Sequence, residues 1–207
     1  KIIDENKQME VRKKHNLPKN YIFYPAMYLP HKNHRTLIDA IKILKDENNI
    51  KNLKMVCCGS DIGYLSNLKK YTIQKNLENE ILFLSFVDDE DLPYLYNDSS
   101  MLVMPSLIGP TNIPPWEAFK IKKPVIYSNL PGIKDVLGDA VHYINPMNPN
   151  EISLAINKIF NDELYRNNLI EKGCDKFEEN KKNFNFSKFF EIIDNFRKYQ
   201  KTWDMSN

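Results

Sequence analysis

With 207 residues and 24.4 kDa, the chain can bury the core of one large α/β domain or two small ones. Its 29 Lys+Arg against 27 Asp+Glu leave a formal charge of +2, which gives no electrostatic case for a nucleic-acid binder. At 42% hydrophobic and 27% charged the composition is that of a folded chain, and no apolar run approaches the ~18–20 residues of a membrane span.

Apolar runs alternate with amphipathic stretches from end to end. Tyr21–Pro25 is a short β-prone run, and His34–Asn48 carries Leu37, Ile38, Ile41 and Leu44 at helical spacing. Leu53–Gly59 reads as a strand ending in Gly. Tyr64–Lys75 reads as a helix with Leu65, Leu68 and Thr72 on one face. Ile81–Val87 is the next strand. Asp88–Asp91 then opens a helix through Leu92, Leu95 and Tyr96, where acids in a first turn suit the helix dipole. Ser100–Pro105 is a buried strand, followed by a Pro-rich loop and a helix over Pro114–Ile121, with Pro tolerated at its start. Pro124–Tyr127 and Val141–Ile144 are strands on either side of a short helix or turn at Gly132–Gly138. Three helices close the chain: Glu151–Phe160, Glu163–Glu179 and Ser187–Tyr199, with a turn expected in Glu179–Asn185.

This alternation predicts an α/β fold: a Rossmann-like, doubly wound parallel sheet of about six strands with helices on both faces, plus C-terminal helices. One domain is expected over 1–207, with an inter-domain lead-in helix over 1–20 and a C-terminal helix over 185–201. The polar opening Lys1–Glu5 lacks the pattern of a signal peptide, and a first residue other than Met reads as a piece of a longer protein. Three cysteines, two of them adjacent (Cys57 and Cys58), make no disulfide framework and read as reduced thiols of a cytoplasmic protein. They and the 4 histidines show no metal-ligand spacing, so no metal is expected. No G-x-G-x-x-G or G-x-x-x-x-G-K-[ST] is present, which argues against a dinucleotide enzyme and a P-loop NTPase.

In an open parallel sheet, ligands bind beyond the carboxyl ends of the strands. That selects the loops after Tyr24, Gly59, Phe86 and Met104. In the first, Lys32 stands just before a helix and could meet a phosphate; a solvated loop with His34 as a polar cap residue is the competing reading. In the last, Gly109, Thr111, Asn112 and Ile113 lead into a helix whose free N–H groups suit a diphosphate, and Glu117 suits a vicinal diol such as ribose. Glu117 could equally complement the dipole, with Trp116 in the core. Gly59 either admits a ligand close to the backbone or belongs to a turn with Asp61 as N-cap. Phe86 and Val87 either flank a nucleobase or serve the core.

These stretches, in this order, resemble the C-terminal, donor-binding half of a GT-B glycosyltransferase of the retaining family 4 (group 1), of the type that builds bacterial surface polysaccharides. Tyr24–His34 occupies the slot of G-R-x-x-x-x-K-G-x. Met55–Asp61 is similar to I-V-G-x-G, and Ile81–Tyr96 to V-x-F-x-G-x-V-x-x-x-x-L-x-x-L-Y. Ser99–Ser106 followed by Gly109–Ile126 is similar to a-D-x-x-V-x-P-S and E-G-F-G-L-P-x-L-E-A-x-A-x-G-x-P-V-I, and Gly132–Ala140 to the closing G-x-x-E-v-x-G-d-A.

The resemblance implies that Lys32 neutralises the donor diphosphate and that Glu117 accepts the ribose hydroxyls. Asn112 and Ile113 would bring backbone to the phosphates and sugar, Gly59 would line the cleft, and Phe86 and Val87 would lie at the base. Gly109 replaces the first glutamate of the E-x7-E pair, Met27 replaces the family arginine, Ser85 a glycine and Lys123 another. A missing cation could come from His31, His34 or the absent half. The implied partners are a nucleoside-diphosphate sugar (UDP- or GDP-linked), the protein's own N-terminal acceptor domain, and a glycan or lipid-linked acceptor. No nucleic acid and no cofactor beyond the donor are implied. The implied place is the cytoplasm or the inner membrane face. A UDP-sugar 2-epimerase of the same fold and a non-catalytic donor-like module are the alternative functions.

Overall fold

The computed structural model describes residues 3–47, 50, 52–109 and 113–183. Thr111, Asn112 and the helix expected over 185–201 lie outside the described residues.

The chain runs α1 (Glu5–Lys14), β1 (Tyr21–Pro25), a 3-10 turn (Pro30–Lys32), α2 (His34–Asp46), β2 (Lys54–Cys58), α3 (Leu65–Gln74) and β3 (Ile81–Leu84). It continues α4 (Leu92–Asp98), β4 (Met101–Met104), α5 (Pro114–Lys120), β5 (Val125–Ser128), α6 (Ile133–Leu137), β6 (His142–Ile144), α7 (Pro149–Asn161) and α8 (Glu163–Asn183). The six strands are parallel, in the order β3-β2-β1-β4-β5-β6. The chain winds outward from β1 to β3, crosses back to β4, and winds the other way. The strand order therefore reverses between β1 and β4, where an α/β sheet opens its crevice.

Side chains on both faces of the central strands are buried: Tyr21–Tyr24 in β1 and Met101–Met104 in β4 are sealed from solvent. That is why these strands read as continuous apolar runs and not as alternating ones. α2 packs on α3 and α7, whereas α4 packs on α1 and α5, which in turn meets α8. These two groups cover opposite faces, as right-handed crossovers require.

Five expectations need correction. The acids of Asp88–Asp91 lead into α4 with Asp91 at its N-cap position, but the Asp91 side chain makes no capping hydrogen bond. The Asp91 carboxylate turns instead to α1, where Lys14 Nζ and His15 Nε2 lie 2.6 and 2.9 Å away. A buried carboxylate needs partners of opposite charge more than a helix end needs a cap. The lead-in helix stops at Lys14 and does not extend toward residue 20: Asn16 turns left-handed (φ 50°), and the chain then meets Pro18. No turn begins at Glu179, because α8 continues to Asn183. β3 ends at Leu84, leaving Ser85, Phe86 and Val87 in the following loop. His34 is neither solvated nor a cap residue, as described below.

Cys57 and Cys58 are buried free thiols. Burial pushes the Cys58 thiol up to about 12, with the Glu117 carboxylate adding to the effect, so it stays protonated.

Candidate donor-binding site

The loop after β1 is stitched to the loop after β4 across the switch point. The Tyr24 phenol, at the end of β1, donates to the Lys32 carbonyl oxygen at 2.6 Å and lies 2.8 Å from Ser106 Oγ. Leu107 N–H donates to the His31 carbonyl at 2.8 Å. Asn33 adopts the left-handed conformation (φ 60°) and sends Nδ2 to the Pro105 and Pro146 carbonyls at 2.9 and 2.7 Å. A short polar side chain tolerates that backbone better than an apolar one. This one residue therefore turns the chain into α2 and ties three loops together.

Lys32 ends the 3-10 turn, half-buried. Burial draws its ammonium below the usual lysine range, and among the described residues no carboxylate pairs with it. A cation in that state is restored by a nearby anion. His34, two residues on, cannot share this task. The residue is 1% exposed, its ring tilted against those of Tyr24 and Tyr28 at centroid distances of 4.7 and 5.3 Å. Burial, aided by Lys32, lowers its pKa to about 3, so it is neutral. Met27, in the arginine slot, is 42% exposed and carries no charge.

The loops after β1 and β2 run side by side. Ala26 N–H donates to the Cys58 carbonyl and Tyr28 N–H to the Ser60 carbonyl. A Cβ on Gly59 would lie 2.6 Å from the Ala26 carbonyl carbon and 2.8 Å from Met27 N. The close approach that Gly59 permits is thus to the chain's own backbone. Asp61 is not the expected N-cap, since Tyr64 holds that position before α3; it sits in the turn and accepts from the N–H groups of Gly63 and Leu65 at 2.8 and 3.0 Å. The Tyr28 phenol donates to the Leu84 carbonyl at the end of β3 and lies 3.1 Å from the Cys57 carbonyl of β2.

Phe86 projects from the loop after β3 with 65% of its surface exposed, so it does not serve the core. Val87 beside it is buried, which leaves its backbone and not its side chain for a ligand. In the loop after β4, Gly109 takes φ 118°, a region that disfavours side chains, and its carbonyl accepts from the Tyr127 phenol at 3.1 Å. Ile113, just before α5, is 70% exposed. Trp116 is half-buried against the core and meets Phe119 edge-on.

Glu117 lies in α5, and its Oε2 accepts from the Tyr96 phenol at 2.6 Å. Its charge is felt at Cys58, next to Gly59, which places the carboxylate toward the carboxyl ends of the strands. Among the described residues no group of three or more His, Cys, Asp or Glu could hold a metal ion. The buried tyrosines 24, 28, 96 and 127 hold the loops and the carboxylate together, and the sequence reading gave none of them a role in the site. The signal was their position: three stand at or just past the carboxyl end of a strand.

A six-stranded, doubly wound parallel sheet in this strand order, with helices on both faces, is the fold of a GT-B C-terminal half. The chain belongs to the group 1 glycosyl transferases, whose family model matches residues 6–176. It is 32% identical over 154 residues to the O-antigen chain mannosyltransferase RfbU of Salmonella typhimurium, covering 74% of this chain and 42% of that protein. It is 29% identical over 154 residues to O-antigen chain mannosyltransferase B of Escherichia coli, covering 74% of this chain and 40% of the relative. The chain thus spans about two-fifths of these relatives. Among solved structures it is similar to Anabaena Alr3699/HepE in complex with UDP and glucose (TM-score 0.78, 18% identity, 95% of this chain and 53% of that one). The C-terminal domain of the group 1 protein LpcC from Francisella tularensis is similar over 85% of this chain and 93% of its own (TM-score 0.69, 19% identity).

Proposed function

We propose that this chain is the donor-binding half of a retaining glycosyltransferase. The enzyme would move a sugar from a nucleoside-diphosphate sugar to a glycan or lipid-linked acceptor in surface-polysaccharide synthesis. The observation that carries the reading is Lys32: a half-buried cation without a carboxylate partner among the described residues, held at the switch point against the loop that leads to Glu117. The mannosyltransferase names of the relatives favour mannose as the sugar.

In this reading the acceptor hydroxyl attacks the anomeric carbon on the face that the diphosphate leaves. The bond from that carbon to the phosphate oxygen breaks as the new glycosidic bond forms. Negative charge grows on the departing diphosphate, and Lys32 stabilises it electrostatically. Gly109, Thr111, Asn112 and Ile113 bring backbone to the phosphates and sugar. Glu117 accepts the ribose hydroxyls and fixes the nucleotide, an orientation effect. Phe86 offers an exposed ring to the base. The acceptor site and the group that takes the acceptor proton belong to an N-terminal half, so this chain alone binds donor without transferring sugar. No metal or further cofactor is required. No helix among the described residues is long and apolar enough to cross a membrane, and membrane contact would fall to the other half.

A thermal-shift panel of UDP, GDP and ADP on the 207-residue chain tests this. A ligand at ~100 Kd adds about 2.7 kcal/mol, roughly 5–10 °C for a domain of this size. One nucleotide should give that shift, and Glu117→Ala and Lys32→Ala should abolish or reduce it. If no nucleotide shifts the wild type, the donor-binding reading fails. Product analysis of the whole protein without acceptor separates transfer from epimerisation, since only an epimerase releases an altered nucleotide sugar there.

A further inference from the structure

The hydrogen bond that the described residues give the half-buried Glu117 side chain comes from Tyr96, which is itself fully enclosed. Tyr96 is 1% exposed, and its ring meets Phe23 of β1 edge-on at 4.9 Å. It rides on α4, which is fastened on several sides. Arg12 pairs with Asp98 at 2.6 Å, Gln8 Nε2 donates to the Tyr94 carbonyl at 3.1 Å, and the Tyr21 phenol donates to the Leu95 carbonyl at 2.6 Å. Lys14 and His15 hold Asp91 at the start of the helix. The phenol therefore reaches Glu117 from a rigid support.

The chemistry of the donor matters as much as its position. A lysine or arginine on Glu117 would neutralise the carboxylate and weaken it as an acceptor. A phenol fixes Oε2 but leaves the full negative charge, and among the described residues no other hydrogen bond occupies the carboxylate, whose remaining lone pairs suit two neighbouring hydroxyls. Burial and the adjacent carboxylate push the Tyr96 phenol well above the usual tyrosine range, so it remains a donor at any working pH.

We infer that Tyr96 is a positioning residue for donor recognition: its phenol holds the Glu117 carboxylate, at 2.6 Å, in the orientation that accepts the ribose diol. The inference rests on the ribose reading of Glu117 given above.

The test compares UDP and GDP with their 2′,3′-dideoxy counterparts by titration calorimetry on the 207-residue chain. The wild type should prefer the ribonucleotide. Tyr96→Phe should weaken the ribonucleotide about tenfold, the usual scale for a hydrogen bond to a charged group, and leave the dideoxy nucleotide unchanged. In a Glu117→Ala background the same substitution should have no further effect, because the two residues act as one unit. Tyr21→Phe removes another buried phenol bond to α4 without touching Glu117, and it should keep the ribose preference.

Equal weakening of both nucleotides by Tyr96→Phe, or the same loss in Tyr21→Phe, would show a merely structural tyrosine and overturn the inference. So would a Tyr96→Phe variant that keeps the wild-type ribose preference. A wild type that binds both nucleotides equally would instead remove the ribose role of Glu117 itself, and the inference with it.

Discussion

Tyr24 Oη and Ser106 Oγ lie 2.8 Å apart, and the same phenol donates to the Lys32 carbonyl oxygen at 2.6 Å. The Tyr24 proton is committed to Lys32, so the Ser106 hydroxyl donates to the phenol oxygen. This chain of two hydrogen bonds joins the end of β1, the turn that carries Lys32 and the first residues of the loop after β4. Its Tyr24 and Ser106 members are sealed from water, both 0% exposed, while Lys32 at its end is half-buried.

Tyr24→Phe keeps the ring and its packing but strands a buried hydroxyl and the Lys32 carbonyl. The expected loss of stability is about 1–3 kcal/mol. At roughly 2–4 °C per kcal/mol for a domain of this size, a thermal melt should show the midpoint falling by several degrees. Nucleotide affinity should fall with it, because the backbone beneath Lys32 is no longer held. An unchanged midpoint would show that the bridge contributes nothing.

Gly59→Ala drives a methyl group into backbone, with 2.6 Å to the Ala26 carbonyl carbon and 2.8 Å to Met27 N. Backbone in a hydrogen-bonded pair of loops cannot swing aside as a side-chain tip can. The substitution should cost about 1–3 kcal/mol or more, as overpacking does, and spread the loops after β1 and β2. Denaturant titration reads the loss directly. A variant as stable as wild type would show that the two loops part easily.

Acid should weaken the fold through His34. The buried ring titrates near 3, against the usual 6.5 when unfolded. Between those values the unfolded chain binds a proton that the folded chain refuses, so stability rises with pH across the window and is fully present above about 6.5. At pH 5 the loss from this one group is about 2 kcal/mol, 1.5 pH units at 1.36 kcal/mol each. His34→Phe retains a ring between Tyr24 and Tyr28 and should flatten the stability profile between pH 7 and pH 5. If the variant shows the same slope as wild type, the slope belongs to other groups.

Much of the fold was legible because parallel strands buried on both faces must be apolar throughout. Tyr21–Pro25 and Ser100–Pro105 announce themselves for that reason. The ends of elements were harder to read. Glu179–Asn185 looks like a break by composition, yet α8 runs through to Asn183. Asp88–Asp91 marks the helix start correctly, with Asp91 at the N-cap of α4, but its buried side chain turns to Lys14 and His15 and makes no cap bond. Those partners lie more than seventy residues upstream, and no local pattern reveals them.

Chain order and residue type alone determined the layered α/β architecture, the loops after β1 and β2 that carry Lys32 and Gly59, and the helix that carries Glu117. Only the tertiary structure decided which of these residues are free to act. It buried His34 and left it neutral, exposed Phe86 while hiding its neighbour Val87, and set the Tyr96 phenol against Glu117. The physical reason is range. Periodicity and turn chemistry act over a few residues, whereas desolvation and hydrogen-bond partnership depend on segments that meet only when the sheet has formed.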